Sequence, residues 1–288
     1  MRRIIAALLL LAVALAADAA PTPITDVDTA ADAVIQAAGD RRLIVIGELH
    51  GTVEVPALVQ ALARHYVRGG PVLVALEVHA TEHARIRAYL GSDGGDEALH
   101  ALREGPFWSV SIERNDGRRT RAMLDLIDTA RRLHGEGHSI AVVPFDPARS
   151  GKAHPSRDRG MATILRAGFE ALPDTGRMLV LTGNRHAMRV VPSDSGAAGL
   201  DSAAGYLLDL PLHSVNVMGV EWAFQACTSM TEPCGRREGR YAGATPGSRM
   251  SDPGDSTRQY DQGLMLPRLT ASALLERVEP TRAAAAAR

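Results

Sequence analysis

Leu43-Ile44-Val45-Ile46-Gly47-Glu48-Leu49-His50-Gly51-Thr52 is the stretch from which the fold can be read. It begins as an unbroken apolar run and ends, within four residues, in a carboxylate and an imidazole. A run with no polar alternation predicts a strand covered on both faces, as in a parallel sheet. Three more runs have the same character: Val72 to Leu76, Ile140 to Val143 and Met178 to Leu181. Between them lie amphipathic segments, Val55 to Val67, Ala84 to Leu90, Thr120 to Leu133 and Gly160 to Leu172, with apolar residues at helical spacing. Gly69-Gly70 and Gly135-Glu136-Gly137 supply helix stops. Alternating strands and helices predict an α/β fold: a mostly parallel central sheet with helices on both faces, in a single domain.

Downstream the pattern thins. Ser193 to Ala204 is a loop of small residues, and His213 to Glu221 reads as a further strand. Gly235 to Thr257, rich in Gly, Arg, Pro and Ser, reads as a long loop. Gly263 to Leu266 reads as a last strand and the Ala-rich tail at 279–288 as disordered. At the other end, Arg2-Arg3, the apolar run Ile4 to Ala16 and Ala17-Asp18-Ala19 have the three-part layout of a cleavable signal peptide over 1–19. The apolar part is short against about 30 Å of hydrocarbon, and no lipobox cysteine follows it. The expectation is therefore a periplasmic or secreted protein without a membrane anchor, whose domain spans 20–278.

A net charge of −1 and an aromatic content of 4% offer neither a basic field nor a stacking platform, which argues against a nucleic-acid partner. Cys227 and Cys234 are the only cysteines. So close a pair in an oxidising compartment reads as a disulfide clipping one loop.

Ligands of open α/β sheets bind beyond the carboxyl ends of the strands. The residues just past each predicted strand are therefore informative. The first strand delivers Glu48 and His50, with Glu54 shortly after; the second Glu77; the third Asp146; the fourth Gly183-Asn184-Arg185-His186. In an extended chain Glu48 and His50 share a side. A carboxylate and an imidazole that converge suit base catalysis or metal ligation. The competing reading, a helix start with a solvated histidine, is weakened because Gly-x-x-His recurs after two separate strands. His50, Glu48, Glu77 and His186 are thus the candidate catalytic residues. His50, His186 and Glu77 could also hold a divalent metal, zinc or manganese, with a position left for water.

The motifs Ile46 to Thr52, Gly183-Asn184-Arg185-His186-Ala187, Arg157-Asp158-Arg159-Gly160-Met161-Ala162 and Tyr260 to Thr270 together resemble the erythromycin esterase/ChaN/Tiki superfamily over roughly residues 40 to 270. The esterase branch implies a histidine base acting on water without a metal. The motif of that branch has two residues between Glu and His, whereas Leu49 alone separates Glu48 from His50. The Tiki branch implies a metal-dependent peptidase with paired Gly-x-x-His motifs, matched in spacing by Gly47 to His50 and Gly183 to His186. The ChaN branch implies haem binding without turnover, and the Glu48-Leu49-His50 spacing is similar to it. The resemblance makes Arg157 a candidate partner for a substrate anion; Asp146 and Glu54, from their places past the strands, are also candidates on the substrate side. The function expected is an exported hydrolase that activates water, with His50 as base or metal ligand, on a small-molecule ester or a peptide. The alternative is a periplasmic haem- or metal-binding protein. A minor alternative is a zinc peptidase built on His79-Ala80-Thr81-Glu82-His83, which spells His-x-x-Glu-His.

Overall fold

The computed structural model describes residues 23–147, 154–192, 201–227 and 232–278. The expected signal peptide, the tail at 279–288 and most of the Ser193 to Ala204 loop lie outside these. Among the described residues no helix is long and apolar enough to cross a membrane.

The four apolar runs form parallel strands: β1 (Leu43–Glu48), β2 (Val72–His79), β3 (Ile140–Asp146) and β4 (Arg177–Gly183). Every residue of β1 is buried, because it lies between β4 and β5 (Leu212–Ala226) with helices on both faces. The sheet is completed by β6 (Gly235–Arg240), β7 (Gly247–Met250) and β8 (Gln262–Leu269). Its order is β3-β2-β4-β1-β5-β8-β7, with β6 paired to β5. Only β6 and β7 run antiparallel to their neighbours. This is the mostly parallel α/β sheet expected.

One face carries the helices α1 (Val27–Ala38), α2 (Glu54–Tyr66), α3 (His83–Leu90) and α5 (Arg121–Gly135), whose apolar sides meet Ile44, Ile46, Val74, Leu179 and Leu181. The short α4 (Asp96–Arg103) packs beside α3. The opposite face is covered by α6 (His154–Glu170) and the turn at Gly205–Leu207, around Val45, Met178 and Val180. The single turn α7 (Asn184–Ala187) follows β4 directly. Helix α1 has weak sequence signals, five of its 12 residues being alanine. It is nevertheless well started, because Asp26 accepts from the Thr29 N–H at 2.8 Å while the Thr29 hydroxyl accepts from the Asp26 N–H at 3.1 Å.

Two expectations need correction. Gly235 to Thr257 contains two strands, not one loop. Nearly every residue of β6 is solvent-facing, so the alternation that marks a half-buried strand is missing. Its pairing partner supplies the order: β5 is 15 residues long, and its second half, Glu221 to Ala226, runs past the rim of the parallel sheet to pair with β6. The His79-to-His83 motif does not form a zinc-binding helix. His79 is the last residue of β2 and packs edge-on against Phe107, Glu82 is buried and accepts from the Phe107 N–H at 2.8 Å, and His83 is exposed at the start of α3. Two histidines on different elements cannot share the single helical face that this motif requires.

Candidate functional site

A cleft of about 730 Å³ opens at the carboxyl rim of the sheet. Glu48, His50, Gly183 and His186 form its floor, and Asp116 and Arg118 one wall. The overhanging end of β5 with the Cys227–Cys234 disulfide forms another. The backbone N–H of Gln225 donates to the His50 carbonyl at 3.0 Å, and that of Cys234 to the Glu113 carbonyl at 2.7 Å. The overhang is thereby tied to both neighbouring loops.

His50 is oriented from one side. Its Nδ1 lies 3.0 Å from Glu48 Oε1. A buried carboxylate there accepts the Nδ1 proton, which leaves the Nε2 lone pair for the cleft. Among the described residues Nε2 has no hydrogen-bond partner, and it sits 3.7 Å from Glu77 Oε2, beyond hydrogen-bond reach but a close charge contact. Burial alone would depress the basicity of His50; the Glu77 and Glu48 carboxylates outweigh it and hold the imidazole above its ordinary pKa. Burial likewise pushes Glu48 up, partly offset by its bond to His50.

Glu77 is a fixed anion. Its Oε2 accepts from the Thr182 hydroxyl at 2.7 Å and the Gly183 N–H at 2.8 Å, and its Oε1 from Arg157 at 2.7 Å and Arg118 at 3.3 Å. Burial opposes this charge, yet His50, His186 and the two guanidinium groups hold the carboxyl well below the usual range. Asp146 is fully buried beneath it and is held down in the same way, with Arg157 Nε at 2.9 Å and Arg118 Nη1 at 2.8 Å from its oxygens. Three strands and a helix therefore converge on one alternating array of acids and arginines.

His186 belongs to the array but occupies a different position from His50. Arg157 Nη1 lies 2.8 Å from its Nε2, and Asp158 Oδ1 lies 2.6 Å from its Nδ1. A guanidinium can only donate, so Nε2 accepts and Nδ1 carries the proton. Consecutive residues of α6 thus hold both ring nitrogens. The two histidines share the rim and the cleft, joined through Glu77 and Arg157.

The donor set fits proton transfer better than metal ligation. A metal held by His50, His186 and Glu77 would displace Arg157 from His186 and Glu77, in a site where two guanidinium groups already balance the carboxylates. Among the described residues no three His, Cys, Asp or Glu side chains are grouped to hold a metal ion. Nor does a lining that includes Asp116, Arg118, Arg119 and Arg185 provide the apolar walls a haem plane buries against.

Of the residues expected on the substrate side, Asp146 and Arg157 lie in the array, and Asp146 is closed to solvent. Glu54 is not among the residues lining the cleft; it starts α2 and accepts the Thr270 N–H at 2.7 Å. Arg118 and Asp158 are the main residues that sequence reading passed over. Asp116-Gly117-Arg118 reads as a turn before α5, and Asp158 as a complement to the α6 dipole. The signal available was charge balance, since Glu48, Glu77 and Asp146 at one rim need more than one cation. Phe107 and Trp108 form a packed aromatic pair, both buried with centroids 4.9 Å apart.

This architecture occurs in known structures. An erythromycin esterase in its open conformation superposes with a TM-score of 0.66 over 89% of this chain and 99% of its own, at 12% identity. The chain has the erythromycin esterase fold. A succinoglycan biosynthesis protein shares that fold at a TM-score of 0.66 and 10% identity, covering 88% of this chain and 96% of its own. A Bacillus cereus protein does so at 0.57 and 10%, covering 89% and 97%. No protein-family model and no curated protein matches the sequence. The expected resemblance thus holds for the erythromycin esterase fold, with the Gly-x-x-His segments at its carboxyl rim.

Proposed function

We propose that this protein is an exported, metal-independent hydrolase in which His50 is the general base that activates water against an ester. The observation that carries this reading is the state of the His50 ring: Nδ1 bound to buried Glu48, and Nε2 at the cleft beside a locked Glu77 anion. Nε2 takes a proton from water as the water oxygen bonds to the acyl carbon. The imidazolium so formed lies between two carboxylates, which stabilise it where the charge develops. Collapse of the tetrahedral intermediate breaks the bond to the leaving oxygen, and Nε2 returns the proton to it. Glu48 sets the tautomer, as the carboxylate of a catalytic triad does. His186 and Asp158 hold Arg157, which holds Glu77. The esterase in the comparison supports the class of chemistry, and the disulfide and the amino-terminal segment support export.

The test is turnover of a panel of p-nitrophenyl esters by the purified protein and by His50→Ala. Loss of a general base lowers kcat/KM by about 10²–10⁴-fold, with unfolding temperature and circular dichroism retained. Turnover unchanged in His50→Ala would refute the assignment. A Soret band on adding haem, lost in the same variant, would favour the haem-binding alternative.

A further inference from the structure

The arginines of the cleft fall into two groups. Arg118, Arg119 and Arg157 are each bound to carboxylates. Arg185 and Arg114 line the same cleft, yet among the described residues neither side chain has a hydrogen bond or an ion pair. Arg185 is half-buried. It follows Gly183 by two residues, and a Cβ on Gly183 would lie 3.0 Å from His50 Nε2. Its backbone is fixed from behind, because the Tyr260 hydroxyl donates to the carbonyl of the preceding Asn184 at 2.9 Å. A half-buried arginine of the cleft with no counterion among the described residues leaves an electrostatic demand that those residues do not meet. For Arg118, Arg119 and Arg157 that demand is met by carboxylates.

We infer that the substrate carries a carboxylate of its own, which Arg185 receives beside His50, with Arg114 adding positive potential from the exposed rim. The planar fork of Arg185 matches a carboxylate bidentately. Of the acids that line the cleft, Glu48 is bound to His50 and Asp116 to Arg118 and Arg119. The substrate class is therefore an anionic acyl ester, one end held at Arg185 and the carbonyl over His50 Nε2. The identity of the substrate rests on the hydrolase reading; the anion site rests on the cleft alone.

The experiment compares two probes of equal length, the p-nitrophenyl monoester of adipic acid and p-nitrophenyl hexanoate, in the mature protein, Arg185→Gln and Arg114→Gln. The adipate ester is expected to have a kcat/KM about tenfold or more above the hexanoate, the scale of one charge-assisted hydrogen bond. Arg185→Gln brings the ratio close to one, Arg114→Gln lowers it less, and added salt lowers the Arg114 contribution first. Calorimetric titration with adipate separates the anion site from the chemistry. Binding in the wild type that is lost in Arg185→Gln upholds the site even if neither ester turns over. A selectivity ratio unmoved by Arg185→Gln, or no adipate binding to the wild type, overturns it.

Discussion

Gly183 is a glycine because of the imidazole beside it. Its φ of −57° is open to any residue, so space, not backbone strain, excludes a side chain. A Cβ there would meet His50 Nε2 at 3.0 Å, His50 Cε1 at 3.4 Å and Glu77 Oε2 at 3.6 Å. Gly183→Ala should therefore leave the unfolding temperature nearly unchanged while displacing the base. The imidazole must give by a few tenths of an ångström, which lowers kcat/KM on p-nitrophenyl esters by less than the about hundredfold that a misplacement of about 1 Å costs; unchanged kcat/KM would contradict the contact. At this scale the sequence was readable where residues are adjacent. Glu48 and His50 can be paired from strand alternation alone. Arg118 and Asp158 could not be assigned in the same way, since one arrives on a loop 41 residues beyond Glu77 and the other one position after Arg157 on a helix. Glu54 failed for the opposite reason: nearness in sequence to His50 did not place it in the cleft.

The element that gives the site its wall is the far end of β5. Buried strands β1 to β4 could be read from their apolar runs, and β5 and β8 from shorter ones. Strand β6 could not, because an overhang covered on neither face carries no hydrophobic pattern. The overhang is held by the bond from Gln225 to His50, by β6 pairing and by the Cys227–Cys234 bridge. A ring this short contributes about 2 kcal/mol by restricting the unfolded chain. Replacing both cysteines with serine should lower the unfolding free energy in guanidinium titrations by that amount. It should also reduce kcat/KM, since the bridge lines the cleft. Equal stability of the two proteins would show that the bridge is not a clip.

Over the whole molecule, sheet order decides which groups meet. Strands β1, β2, β3 and β4 are contiguous in the order β3-β2-β4-β1, so their carboxyl ends deliver Glu48, Glu77, Asp146 and the Gly183 turn to one rim. That much followed from sequence and the rule for parallel sheets. The distinction between a metal site and a base did not, because it depends on where two guanidinium groups lie, and neither is fixed by strand order. With Arg157 and Arg118 neutralising the acids below, His50 is the histidine whose Nε2 meets the cleft without a hydrogen-bond partner among the described residues. Its pKa is raised by Glu77 and Glu48 against the opposing effect of burial. A base must be unprotonated to act, so activity falls as pH drops through that raised value. Removing the Glu48 charge takes away one of the causes of the rise. The most direct measurement is the pH dependence of kcat/KM, with chelator present, for the wild type and Glu48→Gln. A histidine base held by Glu48 gives one acid limb with its midpoint above the usual histidine value of 6.5, moved to lower pH in Glu48→Gln and indifferent to chelator. Activity abolished by chelator and restored by zinc, or a limb that Glu48→Gln leaves in place, would contradict it.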